Sequence, residues 1–351
     1  MERVFVTEGE LPTSEIVIGR ALVTAQDAAS PVLPPSPRRR RVGMLTQPPA
    51  AAVAERLAGS LRQTYEVAIR VGPDRDAAKT LGEAEEIYTW LNGLEMTRYD
   101  TIVGVGGGAV TDIAGFIGGT YLRGIEVVLV PTTLLGAVDA AIGGKAAVNV
   151  EGKNLVGVFR HPTRVIIDLD VLEALPEQLV REGAAEALKT GLIGDPRLVD
   201  AYESDGLAAP LEVVVSRSVA VKARIVSDDF TETGVRAHLN YGHTVGHAVE
   251  TLTGWSHGQS VAVGMVAAGT ASERLVGYQD ARRQRRIIER LGLPTAAPGL
   301  PVDEVLRLMG LDKKRDETGL RMVLLEEIGR PIVRAADSAT VLAALAAVGI
   351  A

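Results

Sequence analysis

Short apolar runs and helical repeats alternate through the first half of this chain. Val42–Leu45, Tyr65–Val71, Thr101–Val105, Ile125–Val130 and Val165–Ile167 are runs bounded by turn or charged residues, and they predict strands. Ala50–Leu61 and Ala77–Leu91 between them space their apolar residues as one face of a helix. The runs at 101, 125 and 165 do not alternate with polar residues. They therefore predict parallel strands buried on both faces. After about Asp170 the period becomes helical almost throughout, over Pro176–Leu192, Leu211–Ser227, Arg236–Leu252, Gln259–Leu275 and Asp280–Leu291. Strand signals return only at Arg321–Leu325. The pattern predicts an α/β domain over residues 1–170 and a mostly helical domain over 171–351.

Composition narrows the function classes. The chain has 351 residues, enough for two domains with real cores. It has no cysteine, which excludes disulfides, thiolate metal sites and a cysteine nucleophile. A net charge of −7 argues against nucleic-acid or anionic-membrane partners. Arg38–Arg41 is a basic run, expected to be a solvated loop leading into the strand at Val42. The first ten residues carry acids before any long apolar run, so no signal peptide is visible. The apolar tail Ser338–Ala351 is shorter than the ~18 residues a spanning helix needs. A cytoplasmic protein is expected. Glycine is unusually frequent, at 38 residues, which suits backbone that approaches a ligand closely.

Three constellations carry candidate chemistry. Gly104-Val-Gly106-Gly107-Gly108-Ala109 lies between a predicted strand and a predicted helix, where glycines let backbone N–H groups approach a pyrophosphate. The first domain is then Rossmann-like, though a plain tight turn has the same local form. Asp112 follows, either complementing the helix dipole or touching a ribose. Three of the five histidines, His243, His247 and His257, crowd into one stretch. The first two lie four apart on a predicted helix, and imidazoles so grouped suit a divalent metal. Glu186, alone in a small, apolar helix, could complete the set, because a charge there is costly unless paired or coordinated. The plainer alternative is one ligand with the other histidines in capping or core roles. Last, Arg123, Lys145, Lys153, Lys189, Lys222 and Arg236 sit among apolar or glycine-rich neighbours. Cations so placed suit a phosphate- or carboxylate-bearing substrate. Arg236, Asn240 and His243, on one helical pattern, would share a face.

These residues together resemble the 3-dehydroquinate synthases and the wider sugar phosphate cyclases. The matching stretches are Gly106-Gly-Gly-Ala-Val-Thr-Asp112, Tyr121-Leu-Arg-Gly124, Pro131-Thr-Thr-Leu-Leu135, Val138-Asp-Ala-Ala-Ile-Gly-Gly-Lys145, Gly152-Lys-Asn154, Ala185-Glu-Ala-Leu-Lys189, Leu239-Asn-Tyr-Gly-His-Thr-Val-Gly-His247, His257-Gly258 and Asp312-Lys-Lys314. They run in family order over about residues 72 to 330, and the first 70 residues match poorly. The resemblance implies a homodimeric two-domain enzyme with NAD and one divalent metal, zinc or else cobalt, between the domains. The metal ligands would be Glu186, His243 and His257, with His247 moved to the substrate site near the phosphate. NAD would be contacted by Asp76, Lys79, Gly106, Gly107, Gly108, Asp112, Thr132, Thr133, Lys145 and Lys153. Arg236 and Lys145 resemble carboxylate and phosphate clamps. Asp139, Asn154, Lys189 and Lys222 resemble groups that hold ring hydroxyls, while Asn240 would converge with Lys145 and Arg236 on an anionic substrate. Arg123 would reach the partner subunit's phosphate site, and Lys313 or Lys314 would add a phosphate contact.

The implied reaction turns a 3-deoxy-heptulosonate 7-phosphate into 3-dehydroquinate. The metal acidifies a hydroxyl, NAD takes a hydride and later returns it, phosphate leaves, and an aldol step closes the ring. Ala140 and Ala146 depart from the family's usual hydroxyl residues, and the Lys145–Lys153 loop is one residue short. These changes are expected beside the ring-hydroxyl contacts. They raise the alternative of an aminodehydroquinate synthase, acting on an amino analogue in antibiotic biosynthesis. A metal-dependent alcohol dehydrogenase is the alternative of another class.

Overall fold

The computed structural model describes residues 1–23, 32–311, 315–316 and 319–351. Contacts divide the chain into two compact units, residues 1–176 with 222–231, and residues 177–221 with 232–351.

The first unit contains β1 (Glu2–Glu8), β2 (Leu11–Gly19), β3 (Arg41–Thr46), α1 (Ala51–Leu61), β4 (Glu66–Val71), α2 (Leu81–Gly93), β5 (Thr101–Gly106), α3 (Gly108–Thr120), β6 (Glu126–Pro131), β7 (Lys145–Val148), β8 (Val156–Phe159), β9 (Arg164–Asp168) and α4 (Leu169–Glu173). Its seven-stranded sheet has the order β1-β2-β9-β6-β5-β3-β4. All pairs are parallel except the antiparallel β1–β2 hairpin. β5 and β9 are buried at every residue, as uninterrupted apolar runs require. Val17, Met44, Leu57, Leu61, Val103, Val128 and Ile166 belong to one core under α1. Strand order reverses between β3 and β5. In a doubly wound sheet the crevice at that reversal, at the strands' carboxyl ends, is where ligands bind. The glycine turn 106–108 stands there. Close packing of α3 needs its small residues: a Cβ on Gly118 would fall 1.7 Å from Val127.

The sequence reading missed two hairpins of this unit. The β1–β2 hairpin has mixed polarity because one face of an edge pair meets water. The short β7–β8 pair lies in a glycine-rich stretch with little period to read. The Arg38–Arg41 run also needs correcting. Arg38 and Arg40 are exposed, but the Arg39 side chain is fully buried. Its guanidinium donates to Thr101 Oγ1 at 2.6 Å, to the Pro34 carbonyl at 2.6 Å and to Glu126. A charged loop position is thus a clasp between the first residues of β5 and β6.

The second unit contains α5 (Glu177–Gly194), α6 (Pro196–Asp205), the part of α7 (Leu211–Asp228) before Lys222, α8 (His243–Thr253), α9 (His257–Val276), α10 (Ala281–Arg290), α11 (Val302–Leu311), β10 (Arg315–Asp316), β11 (Gly319–Glu327), β12 (Arg330–Ala336) and α12 (Ser338–Ala347). α9 is its hub, with α5, α8, α10, α12 and β11 packed around it. β10, β11 and β12 form a small antiparallel sheet. Among the described residues no helix is long and apolar enough to cross a membrane.

The single helix expected over Arg236–Leu252 is not continuous. Val235–Asn240 is a 3₁₀ helix, and α8 begins only at His243 after a break at Tyr241–Gly242. Gly242 takes φ +79°, a left-handed conformation that resets the helix axis. The argument that Arg236, Asn240 and His243 share one helical face therefore fails.

Candidate metal centre and nucleotide turn

Glu186 lies on α5, fully buried, one turn before Lys189. Its Oε1 faces Nε2 of His257 at 3.2 Å and Nε2 of His243 at 3.6 Å. One ligand atom from each of the three residues lies within 4.8 Å of the others. Bonds of ~2.0–2.2 Å in a tetrahedron put neighbouring donors ~3.3 Å apart, so the set fits a zinc-sized cation. The far sides of both rings fit it too. His243 Nδ1 meets the Tyr241 carbonyl at 3.2 Å, and His257 Nδ1 meets Glu250 Oε2 at 3.1 Å. Acceptors on Nδ1 fix the ring orientation and turn the Nε2 atoms toward Glu186, where they could coordinate a cation once deprotonated.

Glycines let these elements approach. A Cβ on Gly258 would lie 2.6 Å from the Glu182 carbonyl, so only glycine lets the start of α9 sit on α5 beside Glu186. A Cβ on Gly264 would lie 1.8 Å from the Gly242 carbonyl, which lets α9 pack backbone-to-backbone on α8. The motif around His243 and His247 is thus a packing motif as much as a ligand motif. Behind it, the Tyr241 hydroxyl donates to Gln284 Oε1 at 2.9 Å, and Gln284 Nε2 donates to the Met265 carbonyl at 2.6 Å.

Electrostatics set the ionisation states. Burial would raise Glu186, but the Lys189 ammonium and the two histidines hold it well below the usual carboxylate range. Burial, with the Lys189 charge, pushes His243 down to about 3. Burial also opposes charge on His257, yet its hydrogen bonds to Glu186 and Glu250 push it up to about 10. In the metal-free protein His257 therefore carries the proton that a cation would replace.

His247 stands beside the centre, its ring 5.1 Å from that of His243, but outside the three-ligand set. Arg236 is buried on the 3₁₀ helix. Asn240 Nδ2 donates to Glu232 Oε1 at 2.7 Å. Glu232 was not singled out from sequence. Its place four residues before Arg236, on a polar loop, gave no periodic signal, and only its φ of +61° and this contact mark it. Lys313 and Lys314 lie outside the described residues.

In the first unit, α3 starts at Gly107 with no side-chain cap, so its positive end is open to an anion. Thr132 and Thr133 follow β6. A Cβ on Gly107 would come within 3.3 Å of Thr133 and 3.7 Å of Gln47. Gln47, another residue not foreseen, is buried with no hydrogen bond to its Oε1. Burial pushes Asp112 up to about 6 against the pull of Lys79, which donates to it at 2.5 Å. Lys79 also donates to Asn154 Oδ1. Lys222 pairs with Asp139 at 2.5 Å, and Asp139 sits in a π-helical turn over Gly136–Ala140, a local irregularity common at functional sites. Lys153 reaches Asp76 at 3.5 Å, and Lys145 opens β7 in an exposed position. Arg123 is exposed, in a turn where it and Leu122 both have positive φ.

The two alanines that depart from the family pattern differ in setting. Ala146 is buried, and a Cβ on Gly115 of α3 would lie 2.7 Å from its methyl. Its methyl packs against that helix. Ala140 packs near Gly108, 3.4 Å from where a Cβ would stand.

Comparison with known proteins gives the lineage. Residues 69–182 match the 3-dehydroquinate synthase N-terminal family and residues 183–315 the C-terminal family. The chain is 46% identical over 299 residues to 3-dehydroquinate synthase of Corynebacterium jeikeium, covering 80% of this chain and 78% of that one. This chain belongs to the 3-dehydroquinate synthase family. Two solved structures of other synthases share its fold. A 2-deoxy-scyllo-inosose synthase, complexed with carbaglucose-6-phosphate, NAD+ and Co2+, aligns with a TM-score of 0.84 at 26% identity, over 94% of each chain. The 2-epi-5-epi-valiolone synthase of Streptomyces hygroscopicus, with NAD+ and Zn2+ bound, aligns with a TM-score of 0.84 at 25% identity, over 95% of this chain and 96% of that one.

Proposed function

We propose that this chain is a 3-dehydroquinate synthase, converting a 3-deoxy-heptulosonate 7-phosphate to 3-dehydroquinate with loss of phosphate. The observation that carries the reading is the convergence of His243 and His257 on the buried Glu186 in a chain of this family. Bound there, a zinc or cobalt ion would supply a Lewis acid for the alcohol, and NAD a reversible hydride acceptor.

The chain's own residues divide the remaining work. Glu186, His243 and His257 hold the cation. Gly106–Gly108 and the open end of α3, with Thr132 and Thr133, receive the pyrophosphate. Asp76, Lys79, Asp112, Lys145 and Lys153 orient the rest of the nucleotide. Arg236 takes the substrate carboxylate with two hydrogen bonds, an interaction not open to a sugar phosphate that lacks the carboxylate. Asp139, Asn154, Lys189 and Lys222 hold ring hydroxyls, and Asn240 stands with Lys145 and Arg236 toward the substrate's anionic groups. His247, with Arg123 from the partner subunit and Lys313 or Lys314, holds the phosphate. Arg123 is exposed on its turn, as a side chain that must reach a partner subunit has to be. The hydroxyl substrate is favoured over its amino analogue because relatives 46% and 43% identical over most of the chain are 3-dehydroquinate synthases.

The test is phosphate release from the heptulosonate 7-phosphate and its amino analogue, side by side, with NADH followed in the same cuvette. Phosphate from the hydroxyl substrate with no net NADH is expected. A preference for the amino analogue would move the chain to that branch. NADH accumulating with a simple alcohol, and no phosphate, would make it a dehydrogenase. Gly107→Val sharpens the cofactor assignment. Its side chain is tight but tolerable against Thr133, and it would block the pyrophosphate. NAD affinity unchanged by it would count against the turn.

A further inference from the structure

We infer that Glu250 is the positioning residue of the metal centre: its carboxylate, on Nδ1 of His257, aims that ring at Glu186 and sets the centre's hold on its cation. The inference rests on the reading that Glu186, His243 and His257 bind a divalent metal.

The two histidines are held in unequal ways. His243 heads α8 with its ring against a main-chain carbonyl, that of Tyr241. Tyr241 is itself fully buried and tied to Gln284, so this acceptor cannot move. His257 is the first residue of α9, after a short turn, and its side chain is 32% exposed against 12% for His243. Packing leaves it the freer ring. The acceptor on its Nδ1 is a side chain, Glu250 Oε2, at 3.1 Å.

The position of Glu250 argues that it is there for His257. It lies in the last turn of α8, where a negative charge opposes the helix dipole. Local helix stability therefore does not explain an acid at this place. Its side chain is 15% exposed, too shielded to be an ordinary solubility charge. It lies seven residues after His243, two turns on and on the same face. A left-handed turn at Gly254, φ +68°, then brings the start of α9 back toward that face. A carboxylate is a stronger acceptor for an imidazole N–H than a carbonyl is, and it makes the opposite nitrogen a better donor to a metal. The freer ligand thus has the stronger anchor.

The test uses full-length protein stripped of metal. Zinc affinity is measured by competition with a chromophoric chelator, and the visible spectrum of the cobalt-loaded form reports ligand geometry. Glu250→Gln keeps the length and an acceptor oxygen but loses the charge. Glu250→Leu loses both, and Glu250→Asp keeps the charge but falls one methylene short. Affinity should drop about 10-fold in Gln and about 100-fold in Leu and Asp, with a changed cobalt spectrum in the last two. The metal-free Gln variant should stay folded, with the far-UV spectrum of wild type and a single cooperative melt, which separates positioning from loss of the fold. If Leu fails to fold, Gln and Asp still decide the matter. All variants within about two-fold of wild type would overturn the inference, as would an Asp variant that binds like wild type while Gln falls. Wild-type protein that takes up neither metal would instead sink the metal reading itself.

Discussion

At the start of β5 the Arg39 guanidinium is buried with Thr101 and Glu126; within the second unit Glu186 is buried with Lys189, His243 and His257. Both clusters put full charges where water is scarce, and both are costly by themselves. They differ in where their polar atoms point. Arg39 spends its donors on the Thr101 hydroxyl, the Pro34 carbonyl and Glu126, and Thr101 in turn donates to Glu126 at 2.6 Å. The bonds close into a ring among neighbouring protein groups. In the second cluster two Nε2 atoms and a carboxylate oxygen converge on one point, while the Nδ1 atoms are already occupied. Burial with closure makes a clasp, and burial with convergence makes a site.

The contrast can be broken at either end. The largest effect is expected from Glu186→Gln, which removes a ligand and strands Lys189. Zinc affinity should fall more than ~100-fold and activity with it, beyond the loss of an outer partner, as metal analysis and turnover would report. A fully active, metal-loaded variant would refute the site. Arg39→Ala should behave oppositely. Stability should fall by about 3 kcal/mol, the lower end for a broken buried pair because Glu126 is 25% exposed. The folded remainder should bind zinc as before. Denaturant unfolding and a zinc titration together check this, and a selective loss of zinc would erase the distinction.

Gly264→Ala probes the support of the centre. The added methyl meets the Gly242 carbonyl, so α8 and α9 must part at a cost of about 2 kcal/mol, with a weaker metal site. An unchanged melting temperature would show that the contact can relax freely. The smallest effect is in pH. His257 sits at about 10 in the metal-free protein, raised from 6.5. The stability its proton contributes is present below 6.5 and lost as pH rises through 10. Because that proton must leave for a cation to enter, zinc affinity should climb about ten-fold per pH unit across this window. A flat profile would mean that His257 is already neutral or is not a ligand.

How far the chain could be read in advance follows the same physics. Uninterrupted strands such as 101–105 and 165–167 were legible because burial on both faces leaves no polar residue in the run. The break at Gly242 was not, since helical spacing continues across it and only the close approach of Gly264 explains the turn. Glu186, His243 and His257 could be gathered from chemistry and resemblance. Periodicity alone favoured His247, which lies four residues from His243 but outside the set. Glu250 looked like any acid on a helix until His257 was seen against it. Arg39 looked like its three neighbours, because the sequence does not reveal which of four consecutive arginines turns inward.

The most direct measurement is a crystal of zinc-loaded protein with anomalous data collected at the zinc edge. One peak per chain is predicted, ~2.0–2.2 Å from Nε2 of His243, Nε2 of His257 and a carboxylate oxygen of Glu186, with Glu250 still on Nδ1 of His257. A peak held by other residues, or none in protein that turns over substrate, would contradict it.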